Sequence, residues 1–187
     1  MKAHFGDKQI HDLIFDETPY KVYCAKVTGT ATIKHIPFAE GDMNRLYKGE
    51  GTIQFTCYYP FARCRFMGKE KEELREEFPN VDEWWDAARI AKNVNFGDVS
   101  VPFKLTISGD DTNKQISIDG KTIDWTKLPT GVEAVLDSKI GIVKVTKSND
   151  SKYPVGSIVN KDVTGNLTAK IPVDTELVGA EFTCLYI

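Results

Sequence analysis

The sequence predicts a mainly β protein: a small antiparallel β domain, a short helical connector, then a β-sandwich. Three observations carry this. Apolar and polar residues alternate with period two in several short stretches, as Ile53, Phe55 and Cys57 do against Thr52, Gln54 and Thr56. Helix-period patterning is confined to residues 67–94. From Asn95 onward short β-rich runs are separated by turn signals at Gly109, Gly131, Gly156 and Pro172, which is the spacing of a sandwich. The predicted segments are therefore residues 1–66, 67–94 and 95–187.

The first segment opens with a polar lead-in over residues 1–12, which holds His4 and His11. Residues 20–28 (YKVYCAKVT) and 31–36 (ATIKHI) read as two strands joined near Gly29, the second ended by Pro37. A polar loop over 39–44 leads to a strand within 46–56. In the stretch GEGTIQFTCYYPF, Gly49–Phe61, two glycines lead in and Pro60 stops the run. Three or four strands in about 60 residues make a thin domain.

The connector begins with GKEKEELREEF, a charged run read as a solvated helix with Leu74 and Phe78 four apart. Pro79 interrupts it. Asn80 and Glu83 have the spacing of a capping box for a second helix. Val81, Trp84, Trp85, Ala88 and Ala91 form one apolar stripe, so the paired tryptophans are expected to dock this helix onto a sheet.

In the third segment Val101, Phe103, Leu105 and Ile107 alternate with Pro102, Lys104 and Thr106. A proline there requires an edge position or the start of the strand. Ile116–Ile118 and Lys121–Ile123 flank Asp119-Gly120, the signature of a two-residue type I′ hairpin. Further strands are predicted at Val132–Leu136, Ile140–Val145, Gly165–Ile171 and Leu177–Tyr186.

Apolar residues make up 41% of the 187 and charged residues 27%, an ordinary soluble balance. A net charge of −3 argues against nucleic acid or an acidic membrane as partner. No apolar run reaches the ~18 residues of a membrane helix, and residues 1–12 have no signal-peptide core. Synthesis in the cytoplasm is expected. Cys24, Cys57, Cys64 and Cys184 form no CxxC pair, and Cys24, Cys57 and Cys184 are expected to be small buried hydrophobes. The Asn149-Asp-Ser and Asn166-Leu-Thr triplets match the glycosylation pattern by chance.

No nucleotide, zinc-protease, serine-hydrolase or EF-hand motif is present, so no catalytic, cofactor-binding or metal-binding residue is assigned. His35 reads as a structural residue of its strand. Asp110 and Asp111 sit in a polar loop without the alternating ligands of a calcium site. Trp125 and Tyr153 are the candidates for ligand-facing aromatics in the sandwich, although packing is the commoner fate of such rings.

The wording of two stretches is more specific than their pattern. YKGEGTIQFTCYYPFAR, residues 47–63, preceded by LIFDETPYKVYCAKVTGTATIKHI, residues 13–36, resembles the distal tail (Dit) family of long-tailed bacteriophages and prophages. The order LIFDE, KVTG, GEGTIQF, CYYPFAR, a helical insertion and GDVSVPFKL extends the resemblance over most of the chain, less specifically in the sandwich. It implies an N-terminal ring-forming domain and a galectin-like C-terminal sandwich. It also implies a virion tail location, with copies of the chain and other tail proteins as partners. The function implied is that of a structural component of the tail tip, without catalysis. A carbohydrate-binding module recognising a host glycan is the second reading, and an enzyme acting on cell-wall glycans is a distant third. The family has a larger N-terminal domain before the equivalent of Leu13-Ile-Phe-Asp. The expectation here is a partial first domain with an uncovered sheet edge, associating at most as a dimer and not as a stable hexamer.

Overall fold

The computed structural model describes residues 11–27, 31–34, 48–51, 55–57, 59–88 and 93–187. The described residues form antiparallel sheets with two short helices, a mainly β protein. The chain divides into two compact units, Met1–Ala62 and Arg63–Ile187. Residues 67–94 belong to the second of these.

In the first unit, β1 (His11–Leu13) and β5 (Phe55–Cys57) both pair antiparallel with β2 (Lys21–Val27). A second pair joins β3 (Ala31–Lys34) to β4 (Lys48–Gly51). Tyr20, Val22 and Ala25 are buried on and beside β2, and the Phe15 ring meets Tyr23 edge-on at 5.9 Å. The expected strand over 46–56 corresponds to β4 and β5; residues 52–54, which carry part of the alternation, lie outside the described residues, as do Gly29 and His35. Cys57 is exposed and Cys24 half-buried, against the expected burial of both. Thr56 beside Cys57 is exposed too, so this end of β5 does not carry a simple in–out alternation.

The second unit begins within β6 (Ala62–Cys64), and the Cys64 N–H donates to the Cys184 carbonyl at 3.0 Å, just before β13 (Leu185–Tyr186). The charged run yields only a single turn of helix, α1 (Lys71–Leu74). Leu74 is its buried residue, and one apolar contact point per turn gives such a run little tertiary support. The second helix, α2 (Val81–Ala88), buries Val81, Trp84 and Ala88 on one stripe. Trp84 stacks on Phe66 at 5.7 Å and meets Phe78 edge-on at 5.9 Å. The capping box is not formed: Asn80 is exposed, and it is the Asn80 backbone carbonyl that accepts the Glu83 N–H at 3.0 Å. Asp82 instead joins the helices, accepting Lys71 at 2.6 Å and Arg75 at 2.8 and 3.1 Å.

The remainder is a sandwich-like pair of layers. One is a four-stranded sheet ordered β11 (Ile142–Ser148), β10 (Val132–Asp137), β7 (Phe103–Ser108), β12 (Ala180–Phe182), antiparallel throughout. Pro102 precedes the first residue of β7, which lets β7 be an inner strand. Phe103, Leu105 and Ile107 alternate inward with Val132, Ala134 and Leu136 of β10. Of these, each Val, Leu, Ile and Phe side chain contributes about 1.5–3 kcal/mol when fully buried.

The second layer is mostly not sheet. It consists of the hairpin β8 (Gln115–Ile118) and β9 (Lys121–Asp124) with the irregular chain that follows β11. Ile118, Ile123, Trp125, Leu128, Val159, Val163 and Ile171 close the core from this side. Asp119 and Gly120 have φ of 51° and 68°, as a type I′ turn requires.

Two expected strands are corrected. Residues 165–171 form a turn, because the Asn166 Oδ1 accepts both the N–H and the hydroxyl of Thr168, at 3.2 and 3.0 Å. Residues 177–186 split into β12 and β13. The free edge of β11 is covered: Val145 N–H donates to Ser157, Gly156 N–H to Val145, and Val143 N–H to the Asn160 side chain at 2.8 Å.

Candidate functional site

A concavity among the described residues lies between the β8–β9 turn and residues 166–170 of the second unit. It measures about 270 Å³. Ser100, Asp119, Lys121, Asn166, Thr168 and Lys170 line it, with the buried Ile118 and Ala169 beneath. Three local features place these residues. The type I′ turn presents Asp119 and Lys121. Val101 and Ile171 exchange two backbone bonds, of 3.1 and 2.8 Å, which join the segment carrying Ser100 to the segment carrying Lys170. Gly165, at φ 110°, runs so close to β9 that a Cβ there would strike the Thr122 carbonyl. Asp124 and Thr164 exchange backbone bonds of 2.9 and 2.8 Å just before it.

The pocket is rich in donors. Its lining carries two lysines and one acidic residue, Asp119. Lys121, Lys170 and Asp119 form no ion pair among the described residues, whereas Lys104 and Lys147 are matched by Asp137 at 3.8 Å and Glu133 at 2.7 Å. The Asn166 oxygen accepts from Thr168, while its amide nitrogen makes no hydrogen bond among the described residues.

The residues singled out from sequence fall elsewhere. Trp125 is 3% exposed and its Nε1 donates to the Ser108 carbonyl at 3.2 Å, so its ring is core and not a ligand platform. Tyr153 is half-buried against the same core, its hydroxyl donating to Asp162 at 3.4 Å. Desolvation, then the Asp162 carboxylate, pushes its phenol above the ordinary range. Asp110 and Asp111 accept backbone N–H groups of Gly131 and Ser108, at 3.0 and 2.8 Å, and thereby brace the loop. No group of three His, Cys, Asp or Glu side chains able to hold a metal occurs among the described residues. Among those residues no helix is long and apolar enough to cross a membrane.

Sequence reasoning passed over Lys121, Lys170 and Asn166. The signals present were the Asp119-Gly120 turn, read for its geometry, and Asn166-Leu-Thr, dismissed as a chance triplet. Its polar pattern is what makes the Asn166 turn. No protein-family model, curated protein or solved structure matches the chain.

Proposed function

We propose that the chain is a structural component of a phage or prophage tail tip, a distal tail or baseplate protein that acts by assembling with other tail proteins and with itself. The observation that carries this reading is the wording of residues 13–36 and 47–63, which resembles the distal tail family. The mainly β architecture and the sandwich-like second unit are compatible with it, the galectin-like character of that unit being part of the proposal. No catalysis is assigned. Fold alone does not decide function, so the test is direct. The purified chain is mixed with the tail proteins encoded beside it and the mixture is followed by size-exclusion chromatography with light scattering. Co-elution with a tail protein is expected. A locus without tape-measure and tail-lysin genes, together with no complex, would overturn the proposal.

A second reading, a carbohydrate-binding module for host-surface recognition, is favoured by one observation: the donor-rich pocket beside the β8–β9 turn.

A further inference from the structure

We infer that the pocket between the β8–β9 turn and residues 166–170 binds an acidic saccharide, with a carboxylate or phosphate group held between Lys121 and Lys170. This deepens the carbohydrate reading and rests on it, and is independent of assembly.

Charge gives the first argument. Two ammonium groups outnumber the one carboxylate, Asp119, and neither is matched by an ion pair among the described residues. Like charges facing one space without a partner favour a bound oxyanion, which supplies the attraction both lack. An uncharged ligand would leave that attraction unused.

Hydrogen bonding gives the second. The Asn166 amide nitrogen and the Ser100 hydroxyl stand at the same rim and make no hydrogen bond among the described residues. Ring hydroxyls both accept and donate, so they suit an amide donor and a hydroxyl together. Ile118 and Ala169 are buried beneath and close the floor of the pocket.

Preorganisation gives the third. The type I′ turn, the paired Val101–Ile171 bonds and the Gly165 approach to Thr122 fix both walls before any ligand arrives. Fixed walls reduce the ordering cost of binding. A volume of about 270 Å³ lies just below the usual range of ligand pockets, which starts at about 300 Å³, so the ligand is a small one.

The test is a titration of the full-length, isotope-labelled chain with glucuronate, glucose 6-phosphate and glucose, read by amide chemical shifts at low salt. Saturable shifts at residues 119–121 and 166–170 are expected with the two acids, and the stronger of them identifies the anion. Glucose should bind at least ~10-fold more weakly. Lys121→Gln combined with Lys170→Gln should lower the affinity for the acids by about tenfold or more. Asp119→Asn removes a like charge while keeping a residue suited to the turn, and should raise it severalfold. Equal binding of glucose and glucuronate would overturn the inference and leave the carbohydrate reading standing. Absence of saturable shifts with all three would remove both. Should the double variant fail to fold, Asp119→Asn decides, and no gain in affinity would sink the charge argument.

Discussion

Phe103 and Ser138 hold each other by two hydrogen bonds: the Phe103 N–H donates to the Ser138 hydroxyl at 2.8 Å, and the Phe103 carbonyl accepts the Ser138 N–H at 2.9 Å. Both residues are 2% exposed. The bonds fasten the start of inner strand β7 to the chain leaving β10. Ser138→Ala would strand the Phe103 N–H away from water, at a cost of about 1–3 kcal/mol. Urea unfolding should show the loss as a lower midpoint with an unchanged slope. An unchanged midpoint would mean that this donor finds another acceptor.

Asn95 is fully buried and spends its whole amide. Its Nδ2 donates to the carbonyls of Val99, Ile171 and Pro172 at 3.0, 3.0 and 3.2 Å, and its Oδ1 accepts Gly97 N–H at 3.2 Å. Asn95→Asp keeps the shape but turns an acceptor toward three carbonyl oxygens. A loss of more than ~3 kcal/mol is expected at neutral pH, because a buried charge is left facing like partial charges. Protonation restores one donor, so the folded state would bind the proton more tightly than the unfolded one. The variant should therefore recover part of its deficit relative to the parent as pH falls toward about 4. A deficit constant with pH would contradict this account.

Asp82 ties α2 to α1. Its carboxyl is held below the usual range by Lys71 first and by Arg75 next. A depressed folded-state pKa contributes stability above the unfolded carboxylate pKa, and the contribution is lost as pH falls through the folded value. The groups are exposed, so the effect is small and salt-sensitive. Thermal unfolding of Asp82→Asn and the parent should differ at neutral pH and low salt, and converge in acid or in molar salt. Equal melting temperatures at neutral pH would show that the ion pairs contribute nothing measurable.

The legible parts of the fold were those where local chemistry and tertiary packing agree. The Asp119-Gly120 turn could be read because positive φ at both positions is a local demand. Strands β7 and β10 could be read because their alternation matches a one-sided core. The charged run over 69–78 was over-read as helix: its residues have helical propensity, but tertiary burial supports only Leu74 and part of Phe78. Gly165–Ile171 was over-read as strand because the Asn166 turn competes for the backbone there. The pocket was not legible, since Lys121 and Lys170 come to line one concavity only through long-range pairing of Val101 with Ile171 and Asp124 with Thr164. Trp125 could not be told from an exposed aromatic without knowing which layer the hairpin covers.

The cysteines separate by environment, and this yields a prediction for alkaline pH. Cys57 is exposed, whereas Cys64 and Cys184 are buried, and burial is the main cause that pushes both thiols above the ordinary value of 9.0. Backbone hydrogen bonds at Phe66 for Cys64, and at Phe96 and Gly97 for Cys184, oppose the shift without cancelling it. The thiolate is the reactive form. An aromatic disulfide reagent at about pH 8 should therefore label Cys57 first, and Cys64 and Cys184 only as the second unit opens. A raised folded-state pKa means that the folded chain keeps protons which the unfolded chain releases. The stability this contributes is complete below the unfolded thiol pKa and is lost as pH rises through the folded value. Replacing both buried cysteines, Cys64→Ala with Cys184→Ala, should lower the melting temperature at neutral pH through lost packing. The same variant should lose less stability than the parent between about pH 8 and 10, since its buried sites no longer titrate. Parallel pH profiles for the two proteins, or labelling of Cys64 at the rate of Cys57, would show that these thiols are not held in the environment described.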